Sequence, residues 1–399
     1  MADSLNLTDV HRRAAGPSRR AVLGGAAGVG LSALLAACGT KGTARSVART
    51  TAPDLSSSEK VVTFSNWPQY VDVSDDDESV RPTLKAFTDA TGIDVAYTED
   101  VNDNEEFFAK IRPAASNGQS IGRDLFVVSD WMSARMMRQH WVSEFDRAAM
   151  PNVAANLLPE LRDVAFDPGR RFSIPWASGM TGLAYNRTLV GREIREVTDI
   201  FADDLKGKVT LFSGMKETMP LLMMGLGMDI ASFSADDFAT ALDFLRQQVS
   251  KGQVRAFTGN DYTASLAKGQ IAACFAWSGD ILQLQLDNPD LQFVIPPEGA
   301  ELWSDNCMLP SPLSHKANAE KLVDWYYQPE VAAELAAWVQ YVSPVKGAQE
   351  AMADVDPELA DNPLVFPDDE TRKRLKVQRD LTEEEDRTFT QQYASVVEG

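Results

Sequence analysis

The chain has 399 residues, with 58 Asp and Glu against 38 Lys and Arg, giving a formal net charge of −20. So acidic a surface repels nucleic acid and anionic lipid, and it suits a cationic ligand. The hydrophobic share of 44% is that of an ordinary globular protein and the length predicts two domains, while three cysteines and three histidines without a close cluster argue against a zinc site.

At the N-terminus, Arg19 and Arg20 stand before the apolar run from Ala21 to Ala37, which ends in Leu35-Ala36-Ala37-Cys38. The run is short for a membrane span and rich in Gly and Ala. A charged stretch, an apolar stretch and small residues follow one another in the order of a targeting segment. Ser18-Arg19-Arg20-Ala21-Val22-Leu23 resembles a twin-arginine export signal, and Leu-Ala-Ala-Cys resembles a bacterial lipobox. The resemblance implies that residues 1–37 are an export signal and that Cys38 becomes the lipidated first residue of the mature protein. Two or more acyl chains on that cysteine would anchor it stably. Residues 38–59, rich in Thr, Ser, Ala and basic residues, read as a flexible tether, reaching roughly 25 Å. The expected location is outside the cytoplasm, on the outer face of the cytoplasmic membrane, in the periplasm or at the cell surface, with the lipid as the only membrane contact.

The fold begins at Val61-Val62-Thr63-Phe64, a β-branched and aromatic strand. Leu84, Phe87 and Ala90 recur at helical spacing, with Gly92 at the C-terminal stop. Ile93, Val95 and Tyr97 alternate as a strand, Phe107, Phe108 and Ile111 form a helical face, and Leu125 to Val128 is a buried strand. A second series has strands at Gly182–Tyr185, Val209–Phe212, Ile271–Trp277 and Phe293–Ile295, with a helix carrying Phe238, Leu242, Leu245 and Val249 on one face. Lys321 to Gln328, Val331 to Val339 and the end of the charged tail read as helices, and Trp303-Ser304-Asp305 as a segment preceding a strand. Strand–helix alternation predicts α/β lobes with mainly parallel sheets and a ligand between them. With Cys38 lipidated, Cys274 and Cys307 remain, either bonded to each other or buried as apolar thiols.

Enzyme signatures are missing. There is no phosphate-binding loop and no nucleophile elbow, and Asp75 to Glu78 lacks the spacing of an EF-hand loop. No cofactor or metal is called for, and an exported hydrolase is kept only because any cleft with carboxylates can be catalytic. The positive signal is aromatic residues beside carboxylates where strands end: Trp67 and Tyr70, Ser129 and Trp131, Trp277 and Asp280, Trp303 and Asp305, with Tyr341 in a later loop. Aromatic faces attract ammonium groups and cover methylene chains, and Glu217, Asp280 and Asp305 can anchor ammonium ends.

These segments resemble the spermidine/putrescine-binding proteins of ABC importers. The likeness runs from about Val61 to the C-terminus through Asn66-Trp67-Pro68-Gln69-Tyr70, Thr91-Gly92-Ile93-Asp94-Val95, Phe172 to Trp176, Trp277-Ser278-Gly279-Asp280 and Trp303-Ser304-Asp305. It implies a two-lobed periplasmic-binding-protein fold of type II that closes over its ligand, with residues 60–182 and 305–363 in lobe 1 and residues 183–304 and 364–399 in lobe 2. It places Trp67, Tyr70, Ser129, Trp131, Trp277, Trp303 and Tyr341 around a polyamine chain, Glu217, Asp280 and Asp305 as carboxylate partners, and Gln378 near a longer ligand. The implied function is a monomeric receptor, not an enzyme, that passes putrescine or spermidine to an ABC permease. Two departures stand out. Gln69 replaces an acidic residue, and Gly214 replaces the Asp of spermidine-type members. They keep open a receptor for another small amine or organic cation.

Overall fold

The computed structural model describes residues 52–398; the export signal, Cys38 and most of the expected tether lie outside the described residues. The chain starts its sheet with β1 (Val61–Asn66), followed by α1 (Pro82–Thr91), β2 (Asp94–Glu99), α2 (Asn104–Ala115), β3 (Leu125–Ser129) and α3 (Asp130–Arg138). Local sequence explains their limits. Pro82 opens α1, where its missing N–H costs nothing, and Gly92 closes it in the left-handed region at φ 69°. Asp103 caps α2 by accepting from the Glu106 N–H.

Next come β4 (Ser173–Asn186), β5 (Val209–Phe212), α4 (Met215–Gly225), α5 (Ala235–Ser250), β6 (Val254–Thr258), β7 (Ala273–Trp277), α6 (Ser278–Asp287), β8 (Leu291–Val294) and β9 (Ala300–Pro310). The last long helices are α7 (Lys316–Tyr326), α8 (Pro329–Val339) and α9 (Glu383–Val397). A reciprocal capping box of Ser234 and Asp237 starts α5, which buries Phe238, Leu242 and Leu245 as its spacing predicts. None of the described helices is long and apolar enough to cross a membrane.

The main sheet runs in the order β2-β1-β3-β9-β4-β7-β5-β6, with β8 paired to β4 off that path. Its two ends are parallel groups: β1 with β2 and β3, and β5 with β6 and β7. The two long central strands run antiparallel to each other and to their outer neighbours β3 and β7. The sheet is therefore mixed at its centre, where purely parallel pairing gives way to two strands that pass between the halves. Strand β4 is buried along its whole length. The register of β9 on β4 shifts between Asp305 and Asn306, and such irregularities re-aim the side chains beside them.

Two expectations change, and the alternative left open for the cysteines resolves to buried thiols. Trp303-Ser304-Asp305 lies inside β9 instead of ahead of a strand, because Asp305 faces a cavity and Ser304 pairs with the Ser178 hydroxyl, which interrupts the apolar pattern. Cys274 and Cys307 are both free and buried. They lie on β7 and β9 with β4 between them, about two strand spacings apart and too far for a disulfide. The end of the expected tether is docked: Leu55 N donates to Ser314 O at 2.7 Å, and the Ser56 hydroxyl and Asp54 carboxyl accept from Asn318 N and Ala317 N at the start of α7.

Asp124 ties this region together. It accepts from Thr63 N and Oγ1 at 2.9 and 2.7 Å and from His315 N at 3.1 Å, and it meets the His315 ring at 2.9 Å. Burial alone would raise its carboxyl, but these donors outweigh burial and hold it below the usual carboxylate range. Asp124→Ala leaves several buried donors without an acceptor and is expected to destabilise the fold by roughly 3 kcal/mol in urea unfolding. A midpoint within error of the parent would contradict that role.

Candidate ligand-binding site

The strands aim their carboxyl ends at one cleft. Trp67 and Tyr70 follow β1, Ser129 ends β3 and precedes Trp131, and Glu217 lies in the first turn of α4 after β5. Asn260 follows β6 and Trp277 ends β7. With Thr181 from β4, and Glu301, Trp303 and Asp305 from β9, they line a slot with about 480 Å³ of empty space, its open mouth included. Tyr341 and Lys216 complete the wall. Open α/β sheets place ligands beyond the carboxyl ends of their strands in the same way.

The aromatic wall is continuous. Trp67 meets Trp277 edge-on at 5.7 Å between ring centres, and Trp277 meets Trp303 at 6.3 Å. Trp303 meets Tyr341 at 5.7 Å, and Tyr341 meets Tyr70 at 4.9 Å. Two glycines create the room. A methyl group at Gly179 would overlap the Trp303 ring, and one at Gly279 would overlap Tyr341. Gly179 pairs with Trp303 across β4 and β9, so the indole lies over the bare backbone opposite.

Within this wall are carboxyls that no protein cation pairs with among the described residues. Asp305 accepts from Ser129 Oγ at 2.7 Å and Tyr70 Oη at 3.0 Å. Burial nonetheless pushes it up to about 7. Glu217 Oε1 accepts from Asn104 Nδ2 at 3.1 Å, while its Oε2 is sealed from water without a partner. Burial, with the nearby Asp103 charge, raises Glu217 to about 7. Glu301 has no hydrogen-bond or ion-pair partner for its carboxyl among the described residues, and burial with the Glu217 charge outweighs the opposing Lys216 charge and holds it well above the usual range. The Nε1 atoms of Trp67 and Trp303 are also buried without acceptors among the described residues.

The predicted residues divide into three groups. Trp67, Tyr70, Ser129, Trp131, Glu217, Trp277, Trp303, Asp305 and Tyr341 line the slot together. Asp280 is drawn behind the wall: Tyr341 Oη donates to it at 2.6 Å, Tyr262 Oη at 2.8 Å and Asn260 Nδ2 at 2.9 Å, and burial raises it to about 6. It holds the Tyr341 ring in place and does not face the cavity. Gln378 lines a neighbouring cavity, with Nε2 buried and without a partner among the described residues.

The departures at 69 and 214 also have a physical setting. A side chain at Gly214 would overlap the Glu217 carboxyl, so the two positions compete for one space. Gln69 adopts φ 59° and lies outside the slot's lining. Sequence reasoning passed over Glu301, Lys216, Thr181, Asn260 and Asn104. Glu301 was within reach, since residues 301, 303 and 305 share one face of a strand by period-two alternation. The others depend on tertiary approach. Asn104 donates to both Ser129 Oγ and Glu217 Oε1, and its Oδ1 accepts from Ser129 N.

A cleft between two sheet halves, walled by aromatics and floored by unpaired carboxyls, defines a two-lobed solute-binding protein with the periplasmic-binding-protein fold. The family model of the bacterial extracellular solute-binding proteins matches residues 83–367, and the chain belongs to that family. It is 25% identical over 319 residues to the spermidine/putrescine-binding periplasmic protein of Escherichia coli strain K12, covering 80% of this chain and 86% of the relative. It is 26% identical over 365 residues to the putrescine-binding periplasmic protein PotF of the same strain, covering 86% and 93%. Among solved structures, the spermidine/putrescine ABC transporter substrate-binding protein PotD from Streptococcus pneumoniae matches with a TM-score of 0.67 and 25% identity, over 85% of this chain and 98% of that one.

Gly179→Ala forces Trp303 out of its place and is expected to destabilise the protein by about 1–3 kcal/mol, read as a lower thermal midpoint with altered tryptophan fluorescence. An unchanged midpoint and spectrum would show that the wall is not packed against that backbone.

Proposed function

We propose that this protein is a receptor for a polyamine, putrescine or spermidine, which it delivers to an ABC permease without chemical change. The observation that carries this reading is the gathering of Glu217, Glu301 and Asp305 beside Trp and Tyr faces with no ion-pair contact to a cation among the described residues, Lys216 acting on Glu301 through its charge alone. An ammonium ligand supplies the missing charge, and the indole and phenol faces cover its methylene chain. The names of the relatives support the same ligand class. Under this reading residues 60–182 with 305–363 form one lobe and residues 183–304 with 364–399 the other. The two hinge about β4 and β9 and close over the amine. Tyr70, Ser129 and Asp305 anchor one ammonium. Cys38 carries the lipid that keeps this monomeric receptor at the membrane, which the Leu-Ala-Ala-Cys segment supports.

The raised carboxyls fix the sign of the pH dependence. In the empty protein the native state holds more protons than the unfolded chain from the ordinary carboxylate range up to about 7, so this group's contribution to stability falls as pH rises through that window. A bound ammonium favours the ionised carboxyls. Amine binding is therefore expected to release protons near pH 6.5 and to tighten as the pH is raised from 6 to 8. Calorimetry with putrescine and spermidine, in buffers of different ionisation enthalpy, reads both effects. Asp305→Asn is expected to weaken binding by about 2–5 kcal/mol while the protein still melts cooperatively. No binding of either amine, or equal affinity in Asp305→Asn, would overturn the assignment.

A further inference from the structure

A slot for cations holds one cation of its own. Lys216 is only 9% exposed and lines the slot one residue before Glu217 on α4. Its Nζ lies 4.8 Å from the centre of the Trp131 ring and 3.1 Å from Asp386 Oδ1 on α9. The ammonium thus already has an aromatic face and a carboxylate, the two partners that a ligand ammonium would seek.

Its place along the slot gives this occupancy a consequence. Ser129, Trp131, Lys216, Glu301 and Trp303 line both the slot and a second cavity, which continues toward Gln378 and Asp380 and holds about 990 Å³ of empty space. Lys216 therefore stands on the wall between them. A chain that entered past Trp303 toward Gln378 would carry its outer ammonium against the face of Trp131. There it would meet a fixed like charge, and in an enclosed site such repulsion is poorly screened. Moving Lys216 aside would leave Asp386, whose side chain is 12% exposed, without its ion-pair partner.

We propose that Lys216 is a built-in ammonium that fills the outer cation position. The slot then accepts short amines anchored at Asp305 and excludes polyamines long enough to pass Trp303 and Trp131. This inference rests on the reading of the slot as an amine site. It assigns the length selection to a residue of the wall, and the vestibule toward Gln378 becomes space that a long polyamine cannot use while Lys216 is charged and in place.

The test is calorimetric titration of the full chain with putrescine, spermidine and spermine, set beside Lys216→Met and the double variant Lys216→Gln/Asp386→Asn. The double variant removes the charge without stranding Asp386, should the single one fold poorly. The parent is expected to bind putrescine at least about tenfold more tightly than spermine. In a variant that melts cooperatively, that preference is expected to shrink by about tenfold or to reverse. Amine binding with the same preference in parent and folded variants, or equal affinity of the parent for putrescine and spermine, overturns the length-selection role alone. No binding of any of the three amines to the parent overturns the amine-site reading, and this inference with it.

Discussion

Enclosing a carboxylate is costly unless an opposite charge or several hydrogen-bond donors compensate for lost water, and this cleft encloses Glu217, Glu301 and Asp305 with Asp280 directly behind. The protein compensates only in part. Asp280 has three donors and Asp305 two, Glu217 has one oxygen satisfied, and Glu301 has none among the described residues. The raised carboxyls are the physical record of that shortfall. On the proposed reading a cation entering the slot removes it, so the imbalance that weakens the empty protein would favour ligand capture.

The scaffold keeps this imbalance in place. Strands β4 and β9 cross the centre of the sheet side by side, and the register shift on β9 falls at Asp305 itself. Gly179 and Gly279 leave out the side chains that would displace Trp303 and Tyr341. Asn104 couples Ser129 to Glu217 through one side-chain amide, linking the end of β3 and the start of α2 to the first turn of α4. Packing and charge thus converge on the same few residues from widely separated parts of the chain.

Much of this was legible in the sequence because strand ends announce themselves. The apolar runs Val61–Phe64, Leu125–Val128 and Ala273–Ala276 mark where strands stop, and the aromatic residues that follow them mark the cleft. The antiparallel crossing was not legible, since a 14-residue buried strand and a short parallel one share the same apolar signature. The Trp277-Ser278-Gly279-Asp280 resemblance makes Asp280 a carboxylate partner of the ligand. Only the partners Tyr262, Asn260 and Tyr341, distant in sequence, reveal that it is turned away. Lys216 was overlooked because a lysine on a helix is usually solvated, and its burial depends on Trp131 and Asp386 arriving from two other elements.

A slot built for an organic cation should hold one when the protein leaves the cell. Native mass spectrometry of the protein purified without added ligand tests this most directly, because an enclosed site tends to retain what it captured in the cell. The expected result is a one-to-one complex whose released ligand is a small amine, displaced by an excess of putrescine. Release of an anion or a neutral sugar that putrescine fails to displace would contradict it.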